Sequence, residues 1–420
     1  MRSPDHTRRV VVTGLGVVSP VGNDRDTAWT SLVEGRSGLA ELTRFDVSKY
    51  EHKAGGEVRD FEAASWMDPK AVRRSEREMH YGVAAAKQAV TDSGFEIDDS
   101  NRTDVGVVFG SGAGGQQLMI DNFSTLVEKG PNRVQPTFIA NALVDSTSGM
   151  IAIETGAIGH NIAMVSACST GTHNVAEGAE AIRRGDCIAV ISGSTEAPLL
   201  ETAHAGFTNM RGMGLPRPGE PLQTVSRPFD ATRDGFVLGE GAGSLFLEDL
   251  ELAKARGARI YAEVVGYGST NDGWDMVQPI DRGTGSARAM KQALERRGVP
   301  ADEVDLINPH GTSTPLGDKR EAEAIWTVFG DHTPNIAISA TKSMTGHMMG
   351  AAGAFEAFAT VKAVAEQCIP PTINYRDADP ECDLQIVTEA TPRAIRYALS
   401  NNIGLGGHNG AVIFKRYDGD

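Results

Sequence analysis

The chain has 420 residues, of which 23% are charged and 40% apolar, and no stretch approaches the roughly twenty continuous apolar residues of a membrane span, so a water-soluble globular protein is expected. Its formal charge of −15 (40 Lys and Arg against 55 Asp and Glu) argues against a nucleic-acid partner, because phosphate binding depends on basic side chains. The four cysteines, Cys168, Cys187, Cys368 and Cys382, form no C-x-x-C pair. Neither a zinc site nor a secreted disulfide framework is indicated, and a reducing cytoplasm is the expected compartment.

Arg8-Arg9 followed by the apolar run from Val10 could imitate a signal peptide, but no small-residue cleavage site follows, and the run reads as a first core strand with its turn. Strand-like runs then alternate with helical spacing. A strand at Val10–Thr13 precedes helices at Thr27–Glu34 and Ser75–Ser93 and a strand at Val105–Phe109. This alternation indicates an α/β fold, and the scarcity of polar strand positions predicts sheets covered on both faces. Lys70, Arg73, Arg74 and Arg77 fall at i, i+3, i+4 and i+7, which predicts a basic stripe along one helix. Gly110 to Gly115 matches G-x-G-x-x-G, yet no clear second strand follows within thirty residues, so a glycine loop lining a cavity is the better reading.

Ile162-Ala163-Met164-Val165 reads as a short buried strand, and Val175, Ala176, Ala179 and Ile182 repeat at helical spacing. Between them lies Ser166-Ala167-Cys168-Ser169-Thr170-Gly171, so Cys168 is expected where a strand turns into a helix. A helix N-terminus there would favour thiolate over thiol. This stretch alone fits either a nucleophile or a buried structural cysteine.

The polar segment Asp249 to Gly257 is the candidate junction between halves 1–257 and 258–420. Beyond it come strands at Tyr261–Val265, Val304–Ile307 and Ile336–Ser339 and helices at Ser286–Arg297 and Lys319–Phe329. No sequence repeat is visible. His310 follows the strand at Val304–Ile307, with Asp318 and Glu321 in a D-x-x-E capping pattern. Lys342 and His347 follow the strand at Ile336–Ser339, and the small residues Gly350 to Ala354 suit close packing against another backbone. In open α/β sheets ligands bind beyond the carboxyl ends of strands, where the cysteine and both histidines fall.

The ordered motifs Val11-Val12-Thr13-Gly14-Leu15-Gly16, Ala167-Cys168-Ser169, Arg227-Pro228-Phe229-Asp230, Arg233-Asp234-Gly235-Phe236, His310-Gly311-Thr312-Ser313-Thr314, Lys342-Ser343, Gly346-His347 and Gly404 with Gly406-Gly407 cover nearly the whole chain. With them the sequence resembles the β-ketoacyl-acyl-carrier-protein synthases, the type II elongating enzymes especially. The resemblance implies a thiolase-like fold of two pseudo-symmetric α/β halves forming a layered α-β-α-β-α core, and a homodimer. It implies Cys168 as acyl acceptor, His310 and His347 as hydrogen-bond donors to malonyl carrier protein during decarboxylation, and Lys342 with Glu356 as an ordering charge pair. Backbone N–H groups of Cys168 and Leu405 would form the oxyanion hole, while Thr312, Thr314 and Phe229 would contact the phosphopantetheine arm. Ala113, Ile403 and Leu405 would line or gate the acyl pocket.

Lys70, Arg73, Arg74, Arg133 and Arg211 would dock the acidic carrier protein. Neither metal nor resident cofactor is implied, since phosphopantetheine arrives on the carrier-protein substrate. Family members usually carry phenylalanine where Ile403 and Leu405 stand, and often a larger aliphatic residue at Ala113, which hints at a roomier pocket. A polyketide ketosynthase would use the same residues, and a noncatalytic chain-length partner would lack the cysteine. Thiolases use a second cysteine that the glycine hairpin does not contain, and initiating synthases pair one histidine with asparagine.

Overall fold

A computed structural model describes residues 7–419. Ten strands form one sheet: β1 (Val10–Val18), β2 (Val105–Ser111), β3 (Asn161–Ile162), β4 (Ala189–Glu196), β5 (Gly241–Asp249), β6 (Ala262–Asn271), β7 (Val304–Asn308), β8 (Ala337–Ile338), β9 (Tyr397–Gly404) and β10 (His408–Lys415). Their spatial order is β8-β7-β9-β10-β6-β1-β5-β4-β2-β3. Counted from each end of the sheet, the first five strands of the chain and the last five follow the same order, third-second-fourth-fifth-first. Strand directions agree as well: in each half the second strand pairs parallel with the third and fourth, whereas the fourth, fifth and first pair antiparallel. The structure is therefore a duplication, with the halves joined where Val10 to Val12 of β1 pair antiparallel with Val264 to Ala262 of β6. Diverged side chains hide in the sequence what the backbone repeats.

Six helices matter for the site: α1 (Arg77–Ser93), α2 (Gln116–Lys129), α3 (Thr170–Arg184), α4 (Thr284–Glu295), α5 (Pro315–Phe329) and α6 (Ala352–Glu366). Of the 15 residues of α6, 13 are buried, and it touches β5 of the first half as well as β9 of the second. Its counterpart α3 touches β4 and β10. A helix buried all round and in contact with both half-sheets lies between them. With α1 packed on β1, β4 and β5, and α4 on β6 and β10, the layers run α-β-α-β-α. The crossing of α3 and α6 is close because a Cβ on Gly171 would meet Ala354 N at 2.3 Å, and one on Gly353 would meet Thr172 N at 2.5 Å. The small residues at the start of α6 serve the predicted backbone approach.

Three local expectations change. Of the expected buried strand Ile162–Val165 only Ile162 pairs, together with Asn161 before it, at the sheet edge, and Ile162 and Val165 are exposed. The basic stripe is broken: a short helix, Pro69–Val72, ends before α1 starts at Arg77, with Glu76 extended between them. Arg77 turns inward to Glu240, leaving Lys70, Arg73 and Arg74 exposed. Finally, Asp318 and Glu321 do not cap a helix. Pro315 begins α5, and both acids lie buried within it, where they serve the histidine loop described below.

Candidate active site

Cys168 sits in a 3-10 turn, Ala167–Ser169, that leads directly into α3. The turn requires Ala167 at φ +52°, a left-handed conformation that costs a non-glycine residue roughly 1–2 kcal/mol. Cys168 is 4% exposed and lines a cavity of about 410 Å³, whose wall also includes His310, His347, Thr312, Thr314, Arg211, Ile403 and Leu405. The sulfur and both imidazoles thus share one cavity. The two rings lie 5.1 Å apart, centroid to centroid, at 87°.

The hairpin between β9 and β10 completes the surroundings of Cys168. Gly406 and Gly407 adopt φ of +81° and +76°, which lets the chain reverse within three residues. A Cβ on Gly404 would lie 2.6 Å from Ser166 O and 3.1 Å from Cys168 N, so only glycine lets the hairpin come this near. The backbone N–H groups of Leu405 and Cys168 both favour negative charge on the sulfur. Against them stands burial, the larger effect, which pushes the Cys168 thiol up to about 11. The resting group is a thiol, contrary to the expectation from its helix N-terminus, because desolvation outweighs the N–H groups and the Lys342 charge.

Both imidazoles are held well below the ordinary histidine value of 6.5, first by burial and then by the nearby Lys342 charge. They are neutral at physiological pH. Lys342 and Glu356, each almost completely buried, form an ion pair of 2.5 Å. Asn402 carries this order to His310: its amide donates to Glu356 Oε2 at 2.7 Å and lies 3.2 Å from His310 Nδ1. Thr172 Oγ1 fixes the amide's orientation by donating to Asn402 Oδ1. Nδ1 of His310 therefore accepts, and the ring proton resides on Nε2. The main chain of the same loop is held by Glu321, which accepts from His310 N at 2.6 Å and Gly311 N at 2.7 Å, and by Asp318, which accepts from Ser313 N and Phe229 N. The His347 loop is held where His347 N donates to Val237 O at 2.6 Å.

The other expected residues divide. Thr312 and Thr314 line the cavity with their hydroxyls 3.0 Å apart. Phe229 is fully buried and contributes no cavity surface; its ring packs beneath Gly311. Ala113 is outside the cavity wall as well, in the loop between β2 and α2, and its N–H donates to Glu196. That contact explains why Gly110 to Gly115 is not a phosphate cradle: the N–H groups of Gly112 and Ala113 are occupied by the protein's own carboxylate. Arg133 and Arg211 are exposed, with Arg211 at the cavity mouth. Among the described residues, no cluster of three or more His, Cys, Asp or Glu is arranged to hold a metal ion. Asn402 and Glu196 are not legible as site residues in the sequence, and Glu321 serves the histidine loop in place of the expected cap; the available signal for the first two was a largely polar stretch late in a strand that begins apolar, Ser192 to Glu196 and Ser400 to Asn402.

Acid sensitivity follows from the neutral imidazoles. Below 6.5 the unfolded histidines take up protons that His310 and His347 refuse when folded, so stability falls as pH drops from that value. Urea midpoints measured from about pH 7 to about pH 5 should decline less steeply in the His310→Asn/His347→Asn variant than in the parent; equal slopes would contradict the assignment.

A duplicated five-layer frame whose one cavity is lined by a buried cysteine and two neutral imidazoles is that of the thiolase-like condensing enzymes. The chain belongs to the β-ketoacyl synthase family, matching its N-terminal domain over residues 7–253 and its C-terminal domain over 261–376. It is 42% identical to 3-oxoacyl-[acyl-carrier-protein] synthase 2 of Staphylococcus aureus strain N315, over 98% of this chain and 99% of the relative. It is 44% identical to the protein of the same name from Synechocystis, over 98% of each. Among solved structures it is similar to a β-ketoacyl synthase from Burkholderia phymatum STM815 (TM-score 0.90, 35% identity, 98% of this chain and 100% of the other). It is also similar to a type II polyketide ketosynthase in complex with its acyl-carrier protein (TM-score 0.89, 29% identity, 98% and 100%).

Proposed function

We propose that this protein is an elongating β-ketoacyl-carrier-protein synthase, which condenses malonyl carrier protein with an acyl chain held on Cys168. The observation that carries this reading is the shared cavity of Cys168, His310 and His347. In the first half-reaction the Cys168 sulfur attacks the acyl thioester. The new S–C bond forms, the bond to the pantetheine sulfur breaks, and the thiol proton leaves with that sulfur. The N–H groups of Cys168 and Leu405 stabilise the developing oxyanion. In the second half-reaction the malonyl thioester loses carbon dioxide while His310 and His347 hydrogen-bond its carbonyl oxygen, as neutral donors can without giving up a proton. The resulting carbanion attacks the acyl carbonyl, the C–C bond forms, the C–S bond to Cys168 breaks, and the expelled thiolate takes up a proton from solvent to restore the resting thiol. Thr312 and Thr314 offer hydroxyls to the pantetheine arm at the cavity wall. No resident cofactor takes part in this scheme. Purified protein given acyl and malonyl carrier proteins should release β-ketoacyl carrier protein and carbon dioxide in equal amounts; carbon dioxide without a lengthened product would contradict the assignment.

A second reading is the same chemistry on a polyketide carrier protein. It is favoured by the type II polyketide neighbour and by Ile403 and Leu405 on the cavity wall. Comparing turnover with fatty-acid and polyketide carrier proteins separates the two.

The partners follow from the surface. Lys70, Arg73, Arg74, Arg133 and Arg211 are exposed cations on an acidic protein, suited to an acidic carrier protein. Arg73→Glu/Arg74→Glu should raise KM for carrier-protein substrates by about tenfold and leave small pantetheine thioesters unaffected; equal losses on both would remove the docking role. The edge strand β3 lies between exposed Ile158 and Val165 in the chain, and the helix Ser146–Thr155 that contacts it carries exposed Ile153. An unpaired edge beside these exposed apolar side chains suits an isologous homodimer. The absence of any helix long and apolar enough to cross a membrane among the described residues is compatible with a cytoplasmic enzyme.

A further inference from the structure

The mechanism above makes no use of Glu196, although this carboxylate is 2% exposed and lies at the C-terminal end of β4, among the loops that carry the chemistry. Its Oε1 accepts from Ser111 Oγ at 2.8 Å and Ala113 N at 3.3 Å, and its Oε2 accepts from Gly112 N at 2.8 Å and Gly350 N at 3.1 Å. The first three donors lie at the end of β2 and in the loop that follows it, in the first half. Gly350 belongs to the second half, three residues beyond His347. A single side chain therefore ties together loops that come from opposite halves of the duplication.

The contact is tight on every side. A Cβ on Gly350 would come within 2.4 Å of Glu196 Oε2 and 2.6 Å of Gly112 N, and a Cβ on Gly112 would lie 2.6 Å from Glu196 Oε2 and 3.4 Å from Ala167 O. Gly112 thus abuts the residue before the nucleophile, while Gly350 continues the His347 loop. Burial pushes the Glu196 carboxyl up to about 6, partly offset by the four donors, so at neutral pH the ionised form accepts them all.

We infer that Glu196 is a positioning residue: it fixes the separation of Cys168 and His347 by bridging the Gly112 loop of one half to the Gly350 turn of the other. This inference rests on the condensing activity proposed above. A displacement of about 1 Å between reacting groups can cost up to about a hundredfold in rate, so a bridge across the seam of the two halves affects turnover without touching substrate.

Glu196→Ala removes the bridge. Glu196→Gln keeps half of it, since the amide oxygen can accept from Gly112 and Gly350 while the NH₂ group donates to Ser111 Oγ. Condensation kcat should fall about tenfold or more in Glu196→Ala, with KM for both carrier-protein substrates within about twofold, and recover to within about threefold of the parent in Glu196→Gln. Amide hydrogen exchange at Gly112 and Gly350 should be slow in the parent and in Glu196→Gln and fast in Glu196→Ala. Should Glu196→Ala not fold, Gly350→Ala separates the same bridge from its other side and should show the same split between kcat and KM. Unchanged kcat in both Glu196→Ala and Gly350→Ala, a loss in Glu196→Gln as large as in Glu196→Ala, or exchange at Gly112 and Gly350 that ignores the variants would overturn the inference. A parent protein that binds carrier proteins but never condenses would instead overturn the proposed function, with the exchange pattern still deciding the bridge.

Discussion

Cys168→Ala abolishes condensation, by an expected factor of at least about a thousand, while malonyl carrier protein continues to lose carbon dioxide. The two outcomes separate because the half-reactions use different atoms. Acyl capture needs the sulfur and has no substitute, since the other three cysteines, Cys187, Cys368 and Cys382, do not line the cavity. Decarboxylation needs only donors at the malonyl carbonyl, and His310 and His347 are held by Asn402, Glu321 and Val237, none of which depends on the thiol. Carbon dioxide release and product formation, measured in the same samples, check the prediction. Parallel loss of both would mean that the sulfur also takes part in decarboxylation.

Lys342→Met should produce the largest loss of stability, about 3–5 kcal/mol, because it leaves Glu356 buried without its counter-ion. It also removes the positive charge that helps hold His310 and His347 neutral, so both imidazoles should titrate closer to 6.5 and the acid limb of the decarboxylation rate should move upward in pH. Lys342→Met/Glu356→Gln separates these roles. Replacing both partners removes the buried charge, so stability should return to within about 1–2 kcal/mol of the parent, while the altered acid limb remains. Urea denaturation and a pH–rate profile decide the matter; a double variant as unstable as the single one would show that the pair contributes through more than its charge balance.

The parts of this site visible in the sequence are those where chemistry is written locally. His310 directly follows a short apolar strand, and Cys168 and His347 sit among small residues in the connections beyond Asn161–Ile162 and Ala337–Ile338, so local spacing placed all three near the carboxyl ends of strands. Their convergence could not be read in that way, since it depends on a duplication whose halves share strand order and not residues. What periodicity missed is long-range: Glu196 meets Gly350 across 154 positions and Asn402 meets His310 across 92. In β4 and β9, Glu196 and Asn402 stand among other polar residues, Ser192, Ser194 and Thr195 in the one and Ser400 and Asn401 in the other, so nothing local singles them out from those neighbours. The basic helix failed for the opposite reason. Helical spacing at Lys70, Arg73, Arg74 and Arg77 presumes an unbroken helix, and the extended Glu76 turns Arg77 toward Glu240. The Cys168 thiol shows a third limit: a helix N-terminus is legible in sequence, whereas the depth of burial that outweighs it is not.

Intact-protein and peptide mass spectrometry after incubation with acyl carrier protein tests the central claim most directly. The account predicts one acyl group per chain, on Cys168, discharged as β-ketoacyl carrier protein once malonyl carrier protein is added. An acyl group found on Cys187, Cys368 or Cys382, or one on Cys168 that malonyl carrier protein fails to discharge, would contradict it.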